Sequence, residues 1–249
     1  MKAIMLAAGM GMRLGQGGAF PPKILLRFGG MSLLQRHIEI LRHVGVRELV
    51  IGVGYQAELI ETEIASCGAS DFVRTKLNPN YEDGPITTLW TLRDELRTDE
   101  PVILMDADVL YDHRMMQRLV DAAASSCFLM DRDVEPGEEP VKLCMRNGRL
   151  VDFHKRPTEP HDYYGEWIGF LKLAPEMAAR VPDATKPYVE SGDETALYEV
   201  AIRDLVLEDR RRRFGVEDVT GLPWIEIDFM ADVDRAEAEV FPRLEAVPQ

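Results

Sequence analysis

The sequence predicts a three-layer α/β/α protein built on a mixed, mostly parallel sheet. Three observations carry that expectation. Short apolar runs alternate with longer amphipathic segments as far as residue 125, the rhythm of βαβ units. A glycine-rich loop follows the first apolar run directly. Beyond residue 125 the pattern changes to strands with short links, then helices. The whole chain, residues 1–249, reads as one domain, with an α/β half at 1–125 and an α+β half at 126–249 that covers it.

The elements follow in order. Residues 2–7 form a strand candidate. Residues 32–43 read as a helix, with Leu33, Leu34, Ile38 and Leu41 on one face. Strands are expected at 48–53, 71–77 and 102–105, and helices at 57–65, 86–96 and 114–124. In the second half, strands are expected at 127–130, 141–145, 150–153 and 167–173. Asn147-Gly148 lies at the centre of Arg146–Arg149 and marks a hairpin turn. Helices are expected at 175–180 and 194–207, a last strand at 224–227 and a closing helix at 231–241. No internal repeat or low-complexity tract interrupts this order.

Composition narrows the function. Lys and Arg number 29 against 43 Asp and Glu, a net charge of −14. A binder of nucleic-acid backbones needs a basic face, so no nucleic-acid partner is expected. A small anionic substrate is still compatible, because a few local cations and a metal suffice to hold one. No apolar run approaches the roughly 18 residues of a membrane span. The opening Met1–Ala8 runs straight into Gly9, Gly11 and Arg13, and reads as strand and loop rather than a signal segment. The 3 cysteines form no CxxC pair, which fits a reducing, cytoplasmic setting without disulfide or zinc.

Gly9 and Gly11 sit where small residues let a backbone approach phosphate closely. The run departs from the dinucleotide fingerprint at Leu14, and no GxxxxGK[ST] occurs in the chain. After the flexible-looking stretch 16–20 comes Pro21-Pro22-Lys23, a lysine positioned to fold back over a triphosphate. Asp106-Ala107-Asp108 stands at the end of a strand, the edge where open α/β sheets bind ligands. Such carboxylates suit Mg²⁺; they are also common helix caps. Trp224-Ile225-Glu226-Ile227-Asp228 is a second strand ending in an acid, with Glu226 and Asp228 on one face.

Leu6-Ala7-Ala8-Gly9-x-Gly11-x-Arg13-Leu14, then Pro21-Pro22-Lys23-Ile24-Leu25-Leu26, then Gly29-Gly30-x-Ser32-Leu33-Leu34, resembles the sugar-phosphate nucleotidyltransferase superfamily, of the MobA-like NTP transferase type. Within it the chain is most similar to cytidylyltransferases that activate phosphocholine, phosphonates or inositol phosphate. The resemblance implies a Rossmann-like fold and Mg²⁺-dependent transfer of a nucleotide, with CTP favoured, to a small phosphorylated acceptor. It implies that Gly9 and Gly11 hold the phosphates and that Arg13 and Lys23 neutralise pyrophosphate. Leu6, Ala7 and Ala8 would meet base and ribose through their backbone. Asp108 and Asp228 align with the metal ligands, Asp106 joins the nucleotide set, and Asp232 aligns with a helix cap. Lys155 matches a strand-end lysine for the acceptor phosphate, with Lys142 a weaker candidate.

Asn78–Trp90 corresponds to the base and ribose segment, which brings in Gly84 and Thr88; Gly84-Pro85 departs from the pair that many members carry. Tyr163–Gly169 resembles the acceptor-side motif and brings in Glu166 and Trp167. Tyr188, Glu190, Asp193, Tyr198 and Glu199 follow in the next segment; carboxylates and aromatic faces are what an ammonium-bearing acceptor needs. Residues 210–213 read as a solvated arginine face. The five histidines show no ligand spacing. A homodimer is compatible with all of this. The rival readings are a sugar-1-phosphate nucleotidyltransferase using UTP or dTTP, a GT-A glycosyltransferase on the strength of the DxD, and a non-catalytic nucleotide-sensing subunit. The GT-A class does not predict the GxGxR loop with its following lysine.

Overall fold

The computed structural model describes residues 1–14, 20–134, 137, 140–193, 196–209 and 213–248. Residues 15–19 of the glycine-rich stretch, the helix start expected at 194–195, and 210–212 of the arginine run lie outside the described residues. Arg213 is paired with Asp209 at 2.9 Å rather than solvated.

In chain order the elements are β1 (Lys2–Ala7), the small hairpin β2 (Arg27–Phe28) and β3 (Met31–Ser32), and α1 (Leu33–His43). Then come β4 (Glu48–Val53), α2 (Ala57–Ser66), β5 (Val73–Leu77), α3 (Ile86–Thr91), β6 (Val102–Asp106) and β7 (Val109–Tyr111). They are followed by α4 (His113–Asp121), β8 (Ser126–Asp131), β9 (Lys142–Arg146), β10 (Arg149–His154) and β11 (Tyr163–Leu173). The chain continues with α5 (Pro175–Ala178), α6 (Val181–Ser191), α7 (Glu199–Glu208), β12 (Phe214–Asp218), β13 (Trp224–Glu226) and α8 (Met230–Arg235).

The main sheet has nine strands, in the order β10-β9-β11-β6-β1-β4-β5, with β8 joining β11 to β12. The β6-β1-β4-β5 half is parallel throughout. The β11 strand is antiparallel to β6, β8 and β9, so it welds the two halves of the chain into one mixed sheet.

Strand periodicity builds the layers. Ala3 and Met5 of β1 pack on one face with Ile38 and Leu41 of α1, Ile60 of α2 and Met115 of α4. Ile4 points the other way, among Leu89 of α3, Val181 of α6 and Ile202 of α7. The β4 and β6 strands alternate in register, Leu49, Ile51, Ile103 and Met105 against Val50, Val102 and Leu104. Strands covered on both faces must be apolar at both parities, which is why these runs read as continuous hydrophobic stretches.

Local signals set the ends. Ser32 Oγ accepts the Gln35 amide at 3.1 Å and starts α1. Asp112, not Asp106 or Asp108, caps α4 by accepting the Arg114 amide at 3.0 Å. Asn147 and Gly148 have φ of 50° and 69° and make the tight β9–β10 hairpin.

Several expectations shift. The helix expected at 86–96 is regular only through Thr91; Leu92 and Leu96 continue inward as turns and are fully buried. The closing helix is split, α8 giving way to a wider turn over Ala236–Val240. The α6 helix forms although it contains Pro182 and Pro187, a composition that argues against a helix. Its first turn tolerates Pro182, and Thr185 Oγ1 donates to the Val181 carbonyl at 2.8 Å.

One buried carboxylate holds the second half together. Asp152 on β10 is wholly buried and takes the Arg203 fork from α7 at 2.7 and 3.1 Å. It also accepts the backbone amides of Thr158 and Glu159 at 2.7 and 3.0 Å. Burial alone would raise its carboxyl; the Arg203 fork and the amides outweigh burial and hold it down at about 2. A carboxyl lowered in the native state stabilises the fold above its unfolded value, and this contribution is lost as pH falls towards about 2. Asp152→Asn is expected to cost about 3 kcal/mol at pH 7, with a deficit that narrows as the pH is lowered below about 4. Urea midpoints of both proteins at pH 7 and pH 3 measure this; a pH-independent difference contradicts the assignment.

Candidate active site

Because β1, β4, β5 and β6 run parallel, their C-terminal ends meet at one edge of the sheet. A cleft of about 500 Å³ opens there. Its floor is the loop after β1. The Ala8 carbonyl accepts the Tyr55 amide at 3.1 Å, and the Leu14 amide closes onto the Gly11 carbonyl at 2.9 Å. Leu14 is buried, so its anchored side chain fixes the end of the loop. Gly11 has φ of +60°, and a Cβ there would stand 3.4 Å from Lys23 Cγ; the glycine lets the lysine stem lie across the loop. Ile24 is 1% exposed and anchors the turn that presents Lys23.

Lys23 is the hub. Its Nζ donates to Asp108 Oδ2 at 2.9 Å and Asp228 Oδ1 at 2.7 Å. Burial would lower the ammonium, but the two carboxylates outweigh it and hold Lys23 above its ordinary range. Arg13 is half exposed, reaches Asp228 Oδ2 at 3.4 Å, and stacks its guanidinium 5.6 Å from the Phe229 ring centre.

The acids converge from two strands. Val109 of β7 pairs with Glu226 of β13, and the Ile227 amide donates to the Asp108 carbonyl at 3.0 Å. This short ladder brings carboxylate oxygens of Asp108, Glu226 and Asp228 within 4.8 Å of one another. The carboxyl of Glu226 lines the cleft and is exposed at its mouth. The neighbouring cleft walls, then the Asp108 and Asp228 charges, raise it above the usual carboxylate range. Such a set of hard oxygen donors fits a divalent cation of the Mg²⁺ kind. Asp232 Oδ2 accepts the Asp228 and Phe229 amides at 2.9 and 2.7 Å, holding the start of α8 beside the cluster.

Two further groups shape the Asp106–Asp108 turn. His37 is buried on α1, and burial holds its ring neutral, down at about 4. Its Nε2–H donates to the Ala107 carbonyl at 3.1 Å. Asp106 turns towards Tyr198, whose hydroxyl donates to Oδ1 at 2.6 Å. Burial first, then the charges of Asp108, Glu199 and Glu226, raise the Asp106 carboxyl well above its usual range. Gly169 lies against it with φ of +86°; a Cβ would come 3.0 Å from Asp106 Oδ2.

Leu6, Ala7, Ala8, Gly9, Gly11, Arg13, Lys23, Gly84, Thr88, Asp106, Asp108, Lys155, Tyr198, Glu199 and Asp228 all line this cleft. The hydroxyl of Thr88 accepts from Asn78 at 3.1 Å, and its methyl fills the space above Gly52. Glu166 and Trp167 do not reach the cleft. They line an adjoining cavity of about 420 Å³ with Asp131, Trp224, Phe229 and Arg235. Lys155 and Glu199 border both spaces. Trp167 is 6% exposed and packs edge-on against Phe153, with Nε1 donating to the Phe170 carbonyl at 3.1 Å; most of it is core.

Lys142 is spent on backbone carbonyls, including that of Lys155 at 2.9 Å. Tyr188 faces α7 and donates to Asp204 at 2.7 Å. The sequence reading left Glu226 and His37 without a role. The alternation of Glu226 with Asp228 is the signal for the first. No local signal marks His37, whose partner is 70 residues away.

Comparison with known proteins agrees with this geometry. The MobA-like NTP transferase domain matches residues 3–155. The chain is 23% identical to the CTP:phosphoglutamine cytidylyltransferase of Campylobacter jejuni, over 94% of this chain and 98% of that protein. It is 27% identical to the CMP-5'-(3-aminopropyl)phosphonate synthase of Streptomyces rubellomurinus, over 97% of this chain and 39% of that longer protein. The fold of the CTP:phosphocholine cytidylyltransferase of Streptococcus pneumoniae superposes with a TM-score of 0.75 at 22% identity, covering 95% of this chain and 97% of that one.

Replacing Lys23 by alanine leaves three cleft carboxylates facing one another without their shared cation. Lys23→Ala is expected to lose about 2 kcal/mol of stability, and millimolar Mg²⁺ should restore more of it than it adds to the wild type. Thermal unfolding with and without Mg²⁺ tests this; a variant as stable as the wild type and indifferent to Mg²⁺ contradicts it.

Proposed function

The chain belongs to the MobA-like NTP transferase domain family, and from that premise we propose that it is a cytidylyltransferase. In this reading it joins CMP from CTP to a small phosphorylated or phosphonylated alcohol or amine and releases pyrophosphate. The observation that carries it is the pairing of Lys23 with Asp108 and Asp228 across the mouth of the glycine-loop cleft. Cation and cation-binding acids meet there, beside a backbone shaped for phosphate. CTP is favoured because cytidylyl chemistry recurs in the names of the relatives.

The chemistry is displacement at the α-phosphorus. An anionic oxygen of the acceptor forms the new P–O bond, the bond to the β-phosphate oxygen breaks, and pyrophosphate leaves with its electron pair. The acceptor oxygen is already ionised, so no general base is needed; catalysis reduces to alignment and charge neutralisation. Asp108 and Asp228, with Glu226 beside them, would hold Mg²⁺, which when bound neutralises phosphate charge as a Lewis acid. Lys23 and Arg13, at the glycine loop, neutralise the leaving pyrophosphate. Lys155 stands where the cleft meets the second cavity and suits the acceptor phosphate. Glu166 and the aromatic walls of that cavity suit an acceptor that also carries an ammonium group. A reducing cytoplasmic setting is part of the reading, with Cys67, Cys127 and Cys144 all unpaired.

Pyrophosphate release with Mg²⁺ tests the proposal, crossing CTP, UTP, GTP, ATP and dTTP against five acceptors. These are phosphocholine, phosphoethanolamine, 2-aminoethylphosphonate, inositol 1-phosphate and glucose 1-phosphate. The expected result is CTP-dependent release with an amine-bearing acceptor. Release from UTP or dTTP with glucose 1-phosphate alone would replace this reading by the sugar-1-phosphate branch. Asp108→Ala and Asp228→Ala are each expected to lower turnover by about a thousandfold while keeping the far-UV circular dichroism of the wild type. Near-normal rates in both would remove the metal assignment.

A further inference from the structure

The backbone of Asp108 is held from both sides. The peptide group before it contains the Ala107 carbonyl, which accepts the His37 Nε2–H at 3.1 Å. The peptide group after it contains the Asp108 carbonyl, which accepts the Ile227 amide at 3.0 Å. Peptide groups are planar, so the two dihedrals at Asp108 set the direction of its Cα–Cβ bond. With both flanking planes pinned, that bond is aimed into the acidic cluster. The carboxylate meets Lys23 Nζ at 2.9 Å and stands with those of Glu226 and Asp228.

The two pins differ in kind. The Ile227 amide is backbone, kept in place by the β7–β13 ladder. The other pin is a side chain that reaches across from α1, 70 residues away in sequence. His37 shares the buried face of that helix with Leu34, Ile38 and Leu41. Its ring lies against Tyr111 of β7, with centroids 5.5 Å apart, and Tyr111 lies against Phe170 at 4.5 Å. A carbonyl can only accept, so Nε2 carries the proton and Nδ1 the lone pair. Nδ1 is buried and meets no hydrogen-bond partner among the described residues. A buried polar atom of this kind costs about 1–3 kcal/mol. A leucine at this position would fill the stripe without that cost, but would take the donor away from the Ala107 carbonyl. The histidine serves the turn rather than the core.

We propose that His37 is a positioning residue for the cation site, its hydrogen bond to the Ala107 carbonyl aiming Asp108 at the metal. The inference rests on the reading of Asp108, Glu226 and Asp228 as a divalent-cation site. His37 touches neither metal nor substrate; it acts through the peptide group that leads into Asp108. Loss of a group that orients a metal ligand in this way typically costs about ten- to hundredfold in metal affinity.

Mn²⁺ binding to the full chain, read from the loss of the free-ion EPR signal, tests this without any turnover. The wild type is expected to bind saturably, and Asp108→Ala to lose that binding. His37→Leu keeps the bulk, removes the donor, and should weaken Mn²⁺ by about tenfold or more. His37→Gln places an amide N–H at the reach of Nε2 and should restore most of the affinity. His37→Asn is one methylene too short and should not. Unfolding temperatures are taken in parallel, and the glutamine–asparagine comparison decides if the leucine variant does not fold. Wild-type affinity in all three variants overturns the inference and leaves the metal reading standing. Equal weakening in all three also overturns it, since packing alone would then be at work. No Mn²⁺ bound by the wild type, or binding that Asp108→Ala leaves unchanged, removes the cation site itself and this inference with it.

Discussion

The ammonium of Lys23 between Asp108 and Asp228 is the interaction on which the rest of the cleft depends. It ties together three segments remote in sequence: the turn after the glycine loop, the end of β6 and the end of β13. Three carboxylates within 4.8 Å of one another repel. A single lysine with 16% of its side chain exposed offsets that repulsion. On the proposed function, a divalent cation bound to the same oxygens would offset it better and leave the lysine for anionic phosphates. The surroundings are built to hold this charge in place. His37 fixes the Ala107 carbonyl, Asp232 fixes the amides at the start of α8, and Tyr198 fixes Asp106.

A chain of net charge −14 is an unpromising binder of a polyanion if charge is averaged over its surface. The cleft resolves this locally. Arg13, Lys23 and Lys155 line it from three separate segments. On the proposed function, a cation held by its acids would in turn attract phosphate. Field strength at a site depends on what stands within a few ångströms, because screening removes the rest beyond about 8 Å at physiological salt.

How legible this was in the sequence follows from range. The buried parallel strands, the loop of Gly9 and Gly11 and the Asn147-Gly148 hairpin are local patterns, and the first half of the fold follows them closely. Asp108 and Asp228 were legible because each ends an apolar strand. Their meeting was not, because it rests on the pairing of β7 with β13, two three-residue strands whose partners lie over 100 residues apart. Glu226 looks like an ordinary surface acid until that pairing exists. Trp167 was placed on the acceptor side by its motif; it borders the second cavity while most of its ring packs edge-on between Phe153 and Tyr198. The α6 helix was hidden by its two prolines, since tertiary packing overrides a local rule that no short window can see past.

On the proposed function, Lys23 would give up its two carboxylates to a metal when the nucleotide arrives. Anomalous diffraction from crystals grown with CTP and Mn²⁺ in place of Mg²⁺ tests this directly. The account predicts a manganese peak bounded by Asp108 and Asp228, with Lys23 Nζ moved off both acids and onto the triphosphate. A triphosphate in the cleft with no manganese at those acids, or with Lys23 still bonded to both, would contradict it.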